Sequence, residues 1–377
     1  MHKILLIFGT RPEAIKLCPV IRGLREHSSQ FDVKVCVTAQ HREMLDQVLE
    51  AFQVKPDHDL DLMLPGQTLF QSTSRILAGL EPVLREEQPA MVIVQGDTTT
   101  TLCGALAAFY SQVPVAHVEA GLRTHDLRQP FPEEMNRVLA SRLATLHFAA
   151  TEEAAGNLRA EGVPPNSISV TGNTGIDAVL YVRDGLERGA LRGDTWNWLD
   201  TTKKLIVVTA HRRESFGDGF VRICRALARI ADRDDVQLVY PVHPNPNVQD
   251  PVQRYLSGHP NVRLISPLSY VPFVDLMRRA YLLITDSGGV QEEGPSLGKP
   301  ILVLREKTER PEAVAAGTVK LVGTDEDSIV REAAHLLGNS GAYDQMSRVH
   351  NPYGDGQASA RISALIHSFL TANSKNS

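Results

Sequence analysis

Residues 3–26 read KILLIFGTRPEAIKLCPVIRGLRE, and this stretch decides how the remaining sequence is interpreted. Residues 3–8 form a nearly continuous apolar run, which is typical of a strand that helices cover on both faces. Gly9 allows a tight turn, and Pro12 suits the start of a helix because it lacks an N–H that would be unpaired there. An amphipathic helix is predicted over residues 14–26. A strand, a short turn and a helix in this order predict a parallel α/β sheet.

The same alternation continues along the chain. In the first half, further strands are predicted at residues 33–38, 91–95, 115–118 and 146–149, and further helices at 40–52, 69–87 and 100–111. The pattern pauses near residues 171–203, in a more polar segment that contains several glycines. It then resumes with strands predicted at residues 205–209, 237–241, 262–265, 282–285 and 301–304.

This pattern predicts an α/β protein with two doubly wound, Rossmann-like domains. The first domain comprises residues 1–170 and the second residues 171–356. The last helical stretch, about residues 357–377, is expected to pack back onto the first domain. Parallel sheets of this kind bind ligands at the carboxyl ends of their strands, so we expect the domains to face a central cleft that holds the ligand.

The composition excludes several classes of protein. The 377 residues include 39 Lys plus Arg and 44 Asp plus Glu, and a net charge of −5 argues against nucleic acid as a partner. Neither a signal peptide nor the ~18 apolar residues of a membrane span is found, so no membrane contact is expected. The cysteines lack metal-binding or disulfide-framework spacing, which predicts no metal site and a cytoplasmic protein with four buried thiols: Cys18, Cys36, Cys103 and Cys224.

The loop after the first strand is a candidate anion site. Arg11 and Lys16 lie at a predicted helix start, where free backbone N–H groups attract anions. A capped helix with two solvated cations explains the same residues equally well. The loop lacks a GxGxxG pattern, which excludes a dinucleotide-binding turn.

Two loops in the second half have phosphate-binding features. Ser287, Gly288 and Gly289 precede a predicted helix, and paired glycines let the backbone approach a phosphate closely. Glu293, expected early in that helix, could accept hydrogen bonds from ribose hydroxyls, although an ordinary strand-to-helix junction remains an alternative. His211 is followed by two arginines directly after a predicted strand, which favours a phosphate contact over a purely structural histidine.

Carboxylates form the remaining group of candidates. Asp97 and Glu119 follow two predicted strands, and Glu133 and Glu134 follow Pro132. Crowded carboxylates repel one another, which raises the pKa of at least one and suits it to proton transfer. Asp97 could instead cap a helix, and the glutamates after Pro132 could form an acidic first turn. Glu119 is harder to explain as a structural residue because it interrupts an apolar strand end.

Together these segments closely resemble the non-hydrolysing UDP-N-acetylglucosamine 2-epimerase family. Ten matching motifs run in family order from residue 8 to residue 356, over nearly the whole chain. They are FGTRPEA (8–14), TAQHR (38–42), GDTTT (96–100), HVEAGLRT (117–124), PEE (132–134), TGNT (171–174), HRRE (211–214), DSGGVQEE (286–293), TERPE (308–312) and NPYGDG (351–356).

The resemblance implies a fold, a reaction and a set of partners. The fold would be of the glycosyltransferase-B type, in a homodimer, with UDP bound between the two domains. The enzyme would interconvert UDP-GlcNAc and UDP-ManNAc for surface polysaccharide synthesis without a cofactor. Loss of the proton at sugar carbon 2 and departure of UDP would give an enzyme-bound 2-acetamidoglucal, to which UDP adds back after reprotonation on the opposite face.

The resemblance also implies roles for individual residues. Asp97, Glu119 and Glu133 would exchange protons with the sugar, and His211 and Arg11 would contact the diphosphate. The remaining UDP-binding and supporting residues would be Ser287, Gly288 and Gly289 at the phosphate, Glu293 at the ribose, Phe273 near uracil, and the cations Lys16, Arg137 and Arg310. A regulatory site for UDP-GlcNAc, found in many bacterial members, would include Gln40, His41, Gln67 and His243.

The chain departs from the family pattern at several positions. Gln95 stands where a histidine is expected before Gly-Asp, and Gly66 stands where some members have a regulatory arginine. Arg128 and Gln129 replace residues close to the expected sugar pocket. Three other functions remain alternatives: a hydrolysing epimerase that releases ManNAc and UDP, a glycosyltransferase on the same fold, and a non-enzymatic sugar-nucleotide sensor.

Overall fold

The computed structural model describes residues 1–38, 42–64 and 66–374, with only the backbone described at residues 42 and 43. Two parallel sheets account for all the strands of this part of the chain. The first contains β1 (His2–Phe8), β2 (Phe31–Val37), β3 (His58–Asp59), β4 (Met91–Gln95), β5 (Val115–Ala120), β6 (Leu146–Ala149) and β7 (Ile168–Val170). The second contains β8 (Lys204–Thr209), β9 (Val236–Pro241), β10 (Val262–Ile265), β11 (Leu282–Thr285), β12 (Ile301–Val303) and β13 (Val319–Leu321).

Helices connect the strands throughout. The helices before the second sheet are α1 (Arg11–Glu26), α2 (Arg42–Ala51), α3 (Leu69–Glu87), α4 (Thr99–Tyr110), α5 (Glu133–Leu143), α6 (Glu152–Ala160) and α7 (Thr174–Glu187). Those that follow are α8 (Asp218–Ala231), α9 (Pro246–Leu256), α10 (Tyr270–Arg279), α11 (Gly288–Glu293), α12 (Pro311–Ala316), α13 (Glu326–Gly338), α14 (Ser340–Ser347) and α15 (Ala358–Ser374). Among the described residues, no helix combines the length and the apolar character that crossing a bilayer requires.

Strand order makes both sheets doubly wound, as predicted. The first has the order β3-β2-β1-β4-β5-β6-β7 and the second the order β10-β9-β8-β11-β12-β13. The central strands are buried on both faces, and five consecutive residues of β1, from Ile4 to Phe8, have no exposed surface. The order reverses between β1 and β4 and between β8 and β11. The carboxyl ends of these strand pairs are therefore where each sheet can bind a ligand.

The chain divides into two compact units. Unit 1 comprises Met1–Ala178 and Gly354–Ser377, and unit 2 comprises Val179–Tyr353. The expected boundaries were after residue 170 and before residue 357, so the observed division falls within α7. That helix was missed in the sequence, where residues 171–203 were interpreted as a joint. Its buried positions include Ile176 and Val179, but neighbouring glycines and polar residues obscured their spacing.

The C-terminal helix α15 packs within unit 1. The rings of Phe31 and His367 meet edge to face, with 6.0 Å between their centroids. The Asp177 carboxylate accepts hydrogen bonds from the backbone N–H of Ala358 at 3.2 Å and of Ser359 at 2.8 Å. A carboxylate at this end of a helix pairs with free N–H groups and with the helix dipole. Asp177 therefore anchors the start of α15.

We expect Gly9→Ala to destabilise the protein, because no room exists for a methyl group after β1. A Cβ atom at Gly9 would lie 2.2 Å from Thr38 Oγ1 and 2.7 Å from Thr100 Oγ1, and these two hydroxyls are hydrogen-bonded to each other at 2.9 Å. Overpacking of this kind costs about 1–3 kcal/mol. Chemical denaturation measures the change in the free energy of unfolding.

Gly156→Ala in α6 is the matched control, since a Cβ atom there meets nothing within 4 Å. Alanine in a helix interior is favoured over glycine by about 0.5–1 kcal/mol, so this variant should be at least as stable as the wild type. Equal stability of the two alanine variants would contradict the proposed crowding at Gly9.

Candidate active site

The turn after β1 is organised by a buried carboxylate. Thr10 caps α1, and Glu13 accepts hydrogen bonds from the backbone N–H of Gly9 at 3.1 Å and of Thr10 at 2.7 Å. Its other oxygen accepts from Thr98 Oγ1 at 2.8 Å, which joins the turn after β1 to the turn after β4. Burial raises the pKa of Glu13, and these hydrogen bonds oppose that rise. Glu13 therefore occupies the N–H groups of the two residues that precede α1.

Glu119 has the most unusual backbone of the candidate residues. It lies at an irregularity in the pairing of β5 with β6, between Val118 and Ala120, and its φ is 61°. A left-handed conformation is uncommon for a residue other than glycine, and such strain is concentrated at functional sites. Its carboxylate forms an ion pair with Lys16 and accepts a hydrogen bond from the Gln95 amide. Two partners from β4 and α1 therefore hold a strained, buried carboxylate in place.

Asp97 forms a second carboxylate–cation pair near the first. Arg137 donates to Asp97 Oδ2 through Nε at 3.1 Å and through a terminal nitrogen at 2.5 Å. The alternative of Asp97 as a helix cap is wrong, because Thr98 caps α4 by accepting from the Thr101 N–H. The Asn136 side chain donates to the Asp97 carbonyl oxygen at 2.9 Å, which connects this turn to α5.

The two glutamates at the start of α5 have different surroundings. Glu134 is buried, accepts hydrogen bonds from the N–H of Thr124 and of His125 at 3.0 Å, and lies 3.1 Å from Arg137. It therefore fixes the segment that follows β5. Glu133 is half-buried, and no side chain or backbone group of the described residues forms a hydrogen bond or ion pair with its carboxylate. Only Glu133 of this pair is available to contact a ligand.

In unit 2, Asp286 organises the ends of β8 and β11. It is fully buried and accepts hydrogen bonds from the N–H of His211 at 2.6 Å and of Arg212 at 2.7 Å. The His211 ring stacks on His243, with 5.4 Å between the ring centroids. Burial lowers the pKa of His211, the Asp286 charge opposes this, and His243 and Arg212 add to the lowering. The lowered pKa favours the neutral form of the His211 ring, which can still form hydrogen bonds.

The turn after β11 leads into a short helix. Ser287 precedes α11, which begins at Gly288. The Arg310 guanidinium lies beside Gly288, since a Cβ atom added at this glycine would be 3.7 Å from it. Arg310 itself forms an ion pair with the buried Glu292. Glu293 was expected early in this helix, but α11 has only six residues and Glu293 is its last. Gly289 is exposed, so its backbone is accessible to a ligand.

The other predicted residues are distributed over several elements. Phe273 is half-buried in α10, and Arg11 is the first residue of α1, with its guanidinium 4.0 Å from Met44 Sδ. Of the predicted regulatory residues, Gln67 donates from Nε2 to the Leu62 carbonyl oxygen at 3.1 Å. Gln40 and His41 lie outside the described residues.

Sequence reasoning missed the groups that support the candidate residues. Glu13 and Asp286 were quoted within motifs without a role, and Gln95 was noticed only as a departure from the family pattern. Each is a buried polar residue at the end of an apolar strand or in the turn and first helical residues that follow it: Gln95 ends β4, Asp286 follows β11, and Glu13 lies in the first turn of α1. That position in the sequence could have indicated their supporting role, because a buried polar group needs a hydrogen-bond partner to offset the cost of leaving water.

Comparisons with known proteins show the family of the chain. The family described as UDP-N-acetylglucosamine 2-epimerase matches residues 23–367. The chain belongs to this family. The UDP-N-acetylglucosamine 2-epimerase of Yersinia pestis is 58% identical over 365 residues, which cover 96% of this chain and 97% of that protein.

Solved structures support the same assignment. The structure of UDP-GlcNAc 2-epimerase from Neisseria meningitidis bound to UDP-GlcNAc is 48% identical, with a TM-score of 0.88 over 97% of this chain and 99% of that chain. The glycosyltransferase of kitacinnamycin is only 13% identical and shares the fold alone, with a TM-score of 0.64 over 98% of this chain and 99% of that chain. The predicted fold class, two α/β domains of the glycosyltransferase-B type, is confirmed.

The stability of the epimerase-family fold should fall in mild acid because of His117. This residue is buried in β5, its Nε2 donates to the Gly96 carbonyl oxygen at 2.7 Å, and burial lowers its pKa from 6.5 to about 4. Between those values the unfolded chain binds a proton that the folded protein does not, so stability is lost as the pH falls from 6.5 towards 4. From His117 alone we expect a loss of about 2 kcal/mol between pH 7 and pH 5.

Denaturant unfolding at both pH values measures this loss. Gln in place of His117 retains an N–H donor without titrating, so His117→Gln should lose about 2 kcal/mol less than the wild type between pH 7 and pH 5. His27→Gln changes an exposed histidine and serves as the control, with the pH dependence of the wild type expected. Identical pH dependence in all three proteins would show that His117 does not carry the effect.

Proposed function

We propose that this protein catalyses the reversible epimerisation of UDP-N-acetylglucosamine to UDP-N-acetylmannosamine without hydrolysis. The observation that carries the proposal is the arrangement of carboxylates at the carboxyl ends of β4 and β5. Glu119 and Asp97 are each opposed by a cation from another element, Lys16 and Arg137 respectively. Inverting a carbon centre requires a group that removes a proton on one face and a group that returns one on the other.

The reaction balances without a redox partner. A carboxylate takes the proton from carbon 2, the electron pair of that C–H bond forms the double bond between carbons 1 and 2, and the bond from carbon 1 to the UDP oxygen breaks. UDP leaves with the electron pair of the broken bond between carbon 1 and oxygen, and the sugar becomes 2-acetamidoglucal. In the second half, carbon 2 receives a proton on the opposite face and the UDP oxygen re-forms its bond to carbon 1. Asp97, Glu119 and Glu133 are the proposed acid and base groups.

The residues of unit 2 are proposed to bind UDP. The backbone of Ser287, Gly288 and Gly289 would contact the diphosphate, together with the ring of His211. The charge that develops on departing UDP is stabilised by preorganised donors, which is the main contribution such a site makes to catalysis. Further proposed contacts are Arg11 and Arg310 with the diphosphate, Glu293 with the ribose hydroxyls and Phe273 with uracil.

The stacking of His243 on His211 supports a second proposal, that the substrate regulates the enzyme. Its ring stacks on His211, so a ligand that moves one ring would move the other. We propose that a second UDP-GlcNAc molecule binds near His243 and Gln67, with Gln40 and His41 as further contacts.

Solvent deuterium distinguishes the proposed reaction from its alternatives. The protein is incubated with UDP-GlcNAc in deuterated water, and the sugar is followed by proton NMR. We expect intact UDP-sugars of both configurations at equilibrium, each deuterated at carbon 2, because the proton removed exchanges with solvent. Accumulation of free ManNAc and UDP would instead assign the hydrolysing reaction. A substrate that stays unchanged and undeuterated would rule out epimerisation and favour an acceptor-dependent transferase or a sensor.

Asp97→Asn separates chemistry from binding in the same assay. Removing an acid–base group typically lowers turnover by about 10²–10⁴-fold, and UDP affinity should change by less than about twofold. Asp234→Asn, at an exposed position in unit 2, is the matched control and should retain wild-type turnover. Full turnover in Asp97→Asn would remove Asp97 from the mechanism.

We further propose that the enzyme is a cytoplasmic homodimer. Two arguments from unit 1 support a second copy on the face formed by α3 and α4. Phe70, Phe109 and Tyr110 expose 89%, 59% and 72% of their surface there. A groove of about 1000 Å³ between the two helices is lined by residues such as Leu77 and Tyr110.

The cysteines support the cytoplasmic location. Four buried, unpaired cysteines suit a reducing compartment.

Light scattering of the purified enzyme tests the dimer. We expect the mass of two chains, and a shift towards one chain in Phe109→Glu combined with Tyr110→Glu, because buried unpaired charges oppose association. Leu365→Glu, at an exposed apolar position of α15 and outside this face, is the control. A monomeric wild-type enzyme would contradict the dimer, and a double variant that remains dimeric would exclude this face as its interface.

A further inference from the structure

Gln95 is a buried amide in direct contact with a candidate catalytic carboxylate. It is the last residue of β4 and is only 3% exposed. Its Nε2 donates a hydrogen bond to Glu119 Oε2, while Lys16 contacts Glu119 Oε1. The two oxygens of Glu119 therefore have chemically different partners, a neutral amide and a cation.

The backbone around Gln95 is fixed by neighbouring elements. Its carbonyl oxygen accepts a hydrogen bond from Thr101 Oγ1 at 2.6 Å, and the Gly96 N–H donates to the Val118 carbonyl oxygen at 3.0 Å. Gln95 is also paired in register with Val118, the residue before Glu119. The amide thus extends from a rigid strand end towards a residue on the adjacent strand.

Glu119 needs such support because of its backbone. The pairing irregularity and the φ of 61° turn its side chain away from the direction that a regular strand would impose. A strained conformation persists only where surrounding contacts determine it. The Lys16 ammonium attracts the carboxylate but is a flexible point charge, whereas a planar amide on a strand end constrains direction.

We propose that Gln95 is a positioning residue that aims the Glu119 carboxylate for proton transfer at carbon 2 of the sugar, an inference that rests on the proposed epimerase function. The amide directs one oxygen without adding a second positive charge to the site, so the carboxylate keeps its capacity to accept a proton. Because an amide does not titrate near neutral pH, this direction is maintained throughout the working range.

A purely structural role makes a different prediction. If Gln95 only satisfied a buried hydrogen bond, its removal would lower stability and leave turnover of the folded enzyme unchanged. If it positions Glu119, its removal lowers kcat more than it changes KM, because a misplaced catalytic group affects the chemical step.

The test compares three variants of the full-length enzyme with the wild type. Gln95→Leu removes the donor at similar volume, and we expect kcat to fall about 10–100-fold, with KM and UDP affinity within about twofold of wild type. Gln95→His restores an N–H donor and should recover most of that loss. Gln237→Leu is the matched control: the Gln237 side chain, on β9, forms hydrogen bonds with the backbone of Trp198 and Asp200, at 3.4 and 3.0 Å. Its kcat should equal that of the wild type.

Deuterium incorporation at carbon 2 supplies the decisive readout. For Gln95→Leu, the rate of incorporation from deuterated water should fall by the same factor as kcat, since proton transfer is the step affected. Unchanged kcat in Gln95→Leu, an equal loss in Gln95→His, or a loss confined to UDP affinity would each overturn the proposal. Should Gln95→Leu fail to fold, Gln95→Met, which also lacks the donor, replaces it. A wild-type enzyme that does not epimerise UDP-GlcNAc would overturn the proposed function itself, whatever the variants do.

Discussion

The contact on which the site depends is that of the Glu119 carboxylate with Lys16 and Gln95 at the end of β5. A carboxylate with 8% of its side chain exposed is costly to bury without a counter-charge, and Lys16 provides that charge from α1. The hydrogen bond from Gln95 adds direction. Together they let a left-handed residue persist within a strand, where an ordinary side chain would favour regular pairing. The position of the carboxylate is thus a consequence of contacts from two other elements.

The same construction recurs at the other strand ends. Buried carboxylates accept backbone N–H groups of turns: Glu13 at Gly9 and Thr10, Asp286 at His211 and Arg212, and Glu134 at Thr124 and His125. Each carboxylate compensates donors that a turn would otherwise leave unpaired. These acidic residues hold the turns, which leaves the neighbouring side chains available for the ligand. A motif rich in acidic residues therefore contains carboxylates that hold turns as well as carboxylates proposed to react with the substrate. The two kinds cannot be told apart by residue type alone.

Asp97 and Glu134 illustrate why the roles could not be read from the sequence. Both were candidates for a cap or an acidic first turn, yet Thr98 caps α4, and Glu134 bonds to a segment about ten residues earlier. A local sequence pattern indicates that a polar residue lies at the start of a helix. The group to which that residue forms a hydrogen bond depends on how the chain packs. Glu293 shows the same limit, because the length of α11 is set by the 3₁₀ turn that follows it at Gly294–Leu297.

The sequence by itself determined the alternation of strands and helices, the doubly wound character of both sheets and the family to which the chain belongs. These follow from apolar spacing and from contiguous motifs, which are local properties. Only the tertiary structure decided that Lys16 meets Glu119 across 103 residues, Arg137 meets Asp97 across 40 and Gln95 meets Glu119 across 24. Such pairings depend on which strands are neighbours and on the backbone angle of a single residue, and neither is encoded in the spacing of side chains along the chain.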